Sequence, residues 1–200
     1  DDVLDGNWSV KVNGLTQKNN LIYQTIPQNF RFEPGKKYKV SFDYQTGSEG
    51  TYAVAVGNGE YNGNVELDEL PMSMGKDKDG HYTTEIIGDA SGQTWFGIYS
   101  TNKAPDLQGT SGSAANFGGY QELVLDNLVI ERVDEEVTAD TLKALIEDAK
   151  TKYSEDDYTA EVWNNFQKEI AKARVALDKD NVTQEDIEEA FYALRGAMVR

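Results

Sequence analysis

The chain has 200 residues, of which 38% are hydrophobic and 27% charged, a balance that suits folded globular domains and not disorder. Its 35 acidic and 19 basic residues leave a net charge of −16, a field that repels nucleic-acid phosphates and anionic membrane surfaces. Cysteine is absent, which excludes disulfides, iron–sulfur clusters, thiolate zinc sites and cysteine nucleophiles. That absence fits the cytosol, and it equally fits an exported Gram-positive protein that is stable without disulfides. No run approaches the ~18 apolar residues of a membrane span, and no signal peptide opens the chain. The first residue is Asp1 and not Met, so a partial or processed chain is expected.

Glycine and proline divide the chain. Of 18 glycines, 17 precede residue 135 and only Gly196 follows it. All four prolines, Pro27, Pro34, Pro71 and Pro105, lie in the first part. Both residues punctuate turns and disfavour helix interiors. Residues 1–134 are therefore expected to be turn-rich β structure and residues 135–200 helical, with the acidic Asp134-Glu135-Glu136 at the junction.

In chain order, Val10 to Val12 and Leu21 to Ile26 are weak strand candidates. Tyr38, Val40, Phe42 and Tyr44 then alternate with Lys39, Ser41 and Asp43 after the turn signal Pro34-Gly35, the period of a half-buried strand. Tyr52, Val54 and Val56 repeat the pattern, and His81 to Ile87, Trp95 to Tyr99 and Leu123 to Ile130 supply further strands. Seven or eight short strands with Gly-, Asn- and Asp-rich turns predict an antiparallel β-sandwich of jelly-roll type. In the second part, Leu142, Leu145, Ile146 and Ala149 form a helical stripe behind the N-cap candidate Thr138. Trp163, Phe166, Ile170, Ala173 and Leu177 form a second behind Thr159. Ile187, Ala190, Phe191, Leu194 and Met198 form a third behind Thr183, with Asp186 placed for a capping box. Short connections predict an up-down-up three-helix bundle.

The helical part resembles a FIVAR module. The resemblance rests on Thr141 to Ile146, Tyr158-Thr159, Trp163 with Phe166, Ala173 to Leu177, and Ala190 to Ala197. The β part resembles galactose-binding-like carbohydrate-binding sandwiches through Trp8 to Val12, Phe32 to Phe42 and Leu125 to Ile130. Together they are most similar to the non-catalytic C-terminal region of family 101 glycoside hydrolases, surface endo-α-N-acetylgalactosaminidases of Gram-positive bacteria. The catalytic barrel of that family has no counterpart here. The resemblance implies a secreted or cell-surface, non-enzymatic accessory region. It would bind mucin-type glycans carrying galactose or N-acetylgalactosamine and accompany a parent catalytic domain, with the bundle as spacer or docking piece for another surface protein. A purely architectural or protein–protein role is the alternative. The resemblance also implies one structural calcium where the closing strand meets the first strands, with Asp126 at the acidic position and Asp5 and Asn7 completing the shell. The alternative is that Asp126 makes turn-like hydrogen bonds at a bulge or edge.

Other chemistry is thin. The single histidine, His81, follows Asp79-Gly80 and reads as a turn residue opening a strand. Acidic residues are plentiful, but paired carboxylates hydrolyse glycosides in deep clefts, for which a small sandwich is a poor host. Asp77-x-Asp79-Gly80 is a second, weaker calcium candidate. Asp178 through Glu189 mimics an EF-hand loop but carries Thr183 where that loop needs glycine, so it reads as a capped helix–helix turn. Sugar faces stack on exposed aromatic rings. If Phe96 and Ile98 face the core, alternation turns Trp95 and Tyr99 outward, with Gly97 leaving space between them. Tyr61 and Tyr120 flank Asn- and Gly-rich loops, and Thr101 to Gly119 is long for a loop without structure. The alternative phase puts Trp95 in the core.

Overall fold

In a computed structural model the described residues are 4–12, 20–46, 50–60, 66–73, 80–101 and 123–199. Their strands are β1 (Val10–Val12), β2 (Asn20–Gln24), β3 (Lys37–Thr46), β4 (Tyr52–Asn58), β5 (Glu66–Glu69), β6 (Gly80–Ile87), β7 (Thr94–Ser100) and β8 (Leu123–Arg132). The helices are α1 (Ala139–Thr151), α2 (Ala160–Leu177) and α3 (Gln184–Met198). The strands form two four-stranded sheets, ordered β1-β8-β3-β6 and β2-β7-β4-β5. The fold is an antiparallel β-sandwich followed by three helices.

The chain divides into two compact units. The first holds 1–30, 39–85 and 95–131, and the second holds 31–38, 86–94 and 132–200. In the first, the alternation read in β3 is realised: Val40, Phe42 and Tyr44 are buried while Lys39 is exposed. Phe42 meets Phe96 across the core at 6.3 Å between ring centroids. Each such fully buried ring contributes roughly 1.5–3 kcal/mol relative to an exposed one. Strand β5 was not expected. Glu66-Leu67-Asp68-Glu69 carries three acids in four residues, a composition with low strand preference. It is held by backbone pairing, with Ala53 opposite Glu69 and Val56 opposite Glu66.

In the second unit the three stripes converge on one core that includes Leu142, Ile146, Phe166, Ile170, Phe191 and Leu194. Thr138, Thr159 and Thr183 are the N-caps, and each hydroxyl accepts from a backbone N–H of its own first turn. Asp186 closes a capping box with Thr183 and accepts from Lys179, whose ammonium, with the Thr183 bonds, holds this carboxyl down to about 2. The EF-hand-like stretch is thus a helix–helix turn, with Asp178 as the C-cap of α2 and Thr183 as the N-cap of α3.

The lone late glycine, Gly196, sits where a Cβ would come to 3.0 Å from the Gly35 amide nitrogen. Gly35 itself has φ +70° and faces the Tyr192 backbone carbonyl, so it excludes a side chain, and Gly196 is tightly hemmed in. Beside them lies Arg195, buried, with Nε donating to the Gly35 carbonyl at 2.6 Å. Its two Nη groups grip the Glu135 carboxylate in a fork at 3.0 and 2.5 Å. Lys37 reaches the same carboxylate at 3.3 Å. The hydrogen bonds from Arg195, more than the opposing burial, hold the Glu135 carboxyl below its ordinary range.

Candidate functional site

Strands β1 and β2 are the end strands of their sheets. A cleft of about 400 Å³ lies between them in the first unit. Phe42 and Ile98 line it, beside Val10, Val12, Ile22 and Leu125. Two backbone irregularities shape it. The register of β2 on β7 slips between Leu21 and Tyr23, and such a bulge re-aims side chains, so the consecutive residues Ile22 and Tyr23 both border the cleft. On β8, Asn127 takes φ +50°, a left-handed conformation that Asn tolerates better than most residues. Leu125, Asp126, Asn127 and Leu128 then all line the cleft, which strict alternation would forbid.

One end of the cleft carries an exposed ring. Trp8, just ahead of β1, is 86% exposed. An indole left in water forgoes roughly 4–6 kcal/mol of burial energy, so such a ring beside an apolar hollow marks a contact surface. Tyr23 on the facing strand is part-exposed and stacks edge-on against Phe96.

A polar network adjoins the ring. The Ser9 hydroxyl donates to Asp126 Oδ2 at 2.6 Å, and the Asp5 amide donates to the same oxygen at 3.1 Å. The Asn127 amide donates to Asp126 Oδ1 at 2.7 Å. The Asn127 side-chain Nδ2 reaches Asp43 Oδ2 at 2.8 Å and Asp5 Oδ2 at 3.4 Å. One residue, Asn127, thus holds three carboxylates together. His81 Nδ1 lies 2.7 Å from the other oxygen of Asp43. The Ser9 bond first, then that from the Asn127 amide, holds Asp126 below the usual carboxylate range. Asn127 and His81 do the same for Asp43.

The expected site residues fare differently. Asp5 and Asp126 do meet, while Asn7 lies exposed in the turn before Trp8. Asp126 spends its oxygens on Ser9, the Asp5 amide and the Asn127 amide, as a turn-organising carboxylate does. Among the described residues no group of three or more His, Asp or Glu side chains is placed to hold a metal. The Asp77-x-Asp79 candidate, Tyr61, Tyr120 and residues 102–122 lie outside the described residues.

Trp95 and Tyr99 require a correction to their expected outward placement. Both are buried, at 2% and 5% exposure. The two-residue alternation fails as a guide because every residue of β7 is buried, on both faces. The Trp95 ring fills the space left by Gly57, where a Cβ would collide with it, while a Cβ at Gly97 would meet Leu21 and the Tyr23 carbonyl first. Its Nε1–H donates to the Gly59 carbonyl at 3.0 Å. Trp8 and Tyr23 were not singled out from the sequence. The available signal was a large aromatic directly after the polar turn Asp5-Gly6-Asn7.

Residues 1–119 match the family described as galactose-binding domain-like. The chain belongs to that family. Residues 139–198 of this galactose-binding-like protein match the FIVAR domain, and α1 to α3 span that stretch. The chain is 26% identical over 130 residues, 65% of its length, to a "Putative endo-alpha-N-acetylgalactosaminidase" of Renibacterium salmoninarum, and spans 8% of that relative. Among solved structures it is similar to the CBM22-1 xylan-binding domain of Paenibacillus barcinonensis Xyn10C, at 12% identity and TM-score 0.43. That match covers 66% of this chain and 77% of the other. It is also similar to the CBM51-2 and INT domains of Clostridium perfringens ZmpB, at 13% identity and TM-score 0.28. That match covers 88% of this chain and 33% of the other. No helix among the described residues is long and apolar enough to cross a membrane.

Proposed function

We propose that this chain is a non-catalytic, glycan-binding part of a secreted or cell-surface glycoside hydrolase, and that sugar docks in the cleft between β1 and β2. The observation that carries the reading is Trp8, an exposed ring at the mouth of a cleft that is also lined by Asp126 and Asn127. A pyranose has one apolar C–H face and a rim of hydroxyls. The indole suits the face, and carboxylate and amide oxygens accept from the hydroxyls. The relative in Renibacterium salmoninarum makes galactose and N-acetylgalactosamine the first sugars to try. Attachment to a glycan-coated surface would raise the local substrate concentration for a tethered catalytic domain, so weak single-site affinity suffices. The helical unit then serves as spacer or docking piece.

Calorimetry and a glycan array test this on the full chain. Binding of galactose, N-acetylgalactosamine or their mucin disaccharide at millimolar concentration, lost in Trp8→Ala, is the expected result. Silence at millimolar sugar leaves an architectural role as the surviving account.

A further inference from the structure

The lining of the cleft contains one carboxylate, Asp126, and no Lys or Arg among the described residues. Around it, Asn127 binds three carboxylates: Asp126 through its backbone, and Asp5 and Asp43 through its amide. The titratable groups facing the cluster are Asp5 from the turn before β1, Asp43 on β3, His81 on β6 and Tyr23 on β2. Among the described residues bonded to these carboxylates, only His81 can carry positive charge, and it is spent on Asp43 and largely exposed. The chain as a whole adds a net charge of −16. Asp126 keeps its charge into acid because Ser9 and two backbone amides donate to it.

We infer that the cleft selects sugars by charge, admitting uncharged pyranoses and excluding uronic, sialylated and sulfated ones. This rests on reading the cleft as a sugar site. A ligand carboxylate entering beside Asp126 meets an unbalanced like charge. Like charges a few ångströms apart repel even through water, so a penalty of at least roughly fivefold in affinity is expected at low salt. A cationic amino sugar gains where the anion loses. Salt screens both effects, because the cluster is solvent-exposed.

Two isosteric series separate charge from shape: galactose, galacturonic acid and galactosamine, and glucose, glucuronic acid and glucosamine. Each is titrated into the full chain at low and at high salt, read by the Trp8 indole resonance and by calorimetry. In at least one series the neutral sugar binds, the acid binds at least roughly fivefold more weakly and the amine more tightly. The spread collapses at high salt, and it narrows in Asp126→Asn and in the exposed Asp5→Asn. Equal affinity of neutral sugar and acid at low salt overturns the charge selection while the cleft keeps its role. No response at Trp8 to any of the six sugars overturns both.

Discussion

Two carboxylate clusters in this protein look alike in sequence and behave differently in space. Glu135 is gripped by the Arg195 fork and by Lys37, with Arg195 nearly sealed from water. Asp126 has no such cation. Its partners are a hydroxyl and two backbone amides, and its neighbours Asp5 and Asp43 share the amide of Asn127. The first cluster is closed in charge and holds α3 to the segments around Gly35 and Glu135 inside the second unit. The second is left negative, beside an apolar hollow and an exposed indole. A carboxylate with its countercharge in place is building material. One without it, next to an unburied ring, is equipped to meet a ligand.

The sharpest break in that contrast is Arg195→Met. It strips the countercharge from a part-buried Glu135 and is expected to cost about 3 kcal/mol of unfolding free energy, since removing one partner of such a pair strands the other. Chemical denaturation measures it, and a loss below 1 kcal/mol would erase the distinction between the clusters. Next comes Asn127→Ala, which forces a Cβ without Asn's local hydrogen bonding into φ +50°. A loss of roughly 1 kcal/mol is expected, with Asn127→Gly recovering most of it. If the glycine variant is as unstable as the alanine one, the amide bridge to Asp43 and Asp5 carries the stability, and the second cluster is structural too.

Acid titration tests the ion pair of the first cluster. Glu135 titrates lower in the folded chain than its ordinary 4.5. Its contribution is therefore complete above that value and is lost as pH falls through the folded value. Asp186 behaves likewise between 3.8 and about 2. Glu135→Gln is expected to be less stable than the native chain at neutral pH and to converge with it in acid, as denaturation midpoints across pH 2–7 would record. A constant gap across that range would contradict the ion pair. The smallest expected effect is that of calcium. With Asp126 committed to three donors, chelator or millimolar calcium should leave the melting temperature unmoved. A rise abolished by Asp126→Asn would restore the metal that the family resemblance implied.

Much of the fold was legible because its signals are local. The period-two run through Val40, Phe42 and Tyr44 and the caps at Thr138, Thr159 and Thr183 each depend on near neighbours in the chain. What escaped depends on distant partners. The short strand β5 exists through β4, and Arg195 meets Gly35 across 160 positions. Trp95 and Trp8 show the same limit at the site. Alternation in β7 carries no information about facing when both faces are covered, and the Trp95 slot is made by Gly57, 38 residues away. Trp8 stands just ahead of the end strand β1, a place set by sheet order. Asp126 was legible as a special position, with hydrogen bonding as the alternative to calcium, while its donor Ser9 was not, because Ser9 lies 117 residues off.

The three tryptophans allow the central claim to be read from a single spectrum. Trp8 is exposed at the cleft, Trp95 is buried with its N–H on the Gly59 carbonyl, and Trp163 packs among Tyr158 and Phe166 in the helical unit. Titrating galactose or N-acetylgalactosamine while following the three indole N–H resonances should move Trp8 and leave Trp95 and Trp163 in place. Saturable movement of Trp95 or Trp163 with Trp8 unchanged would place the sugar elsewhere and contradict the account.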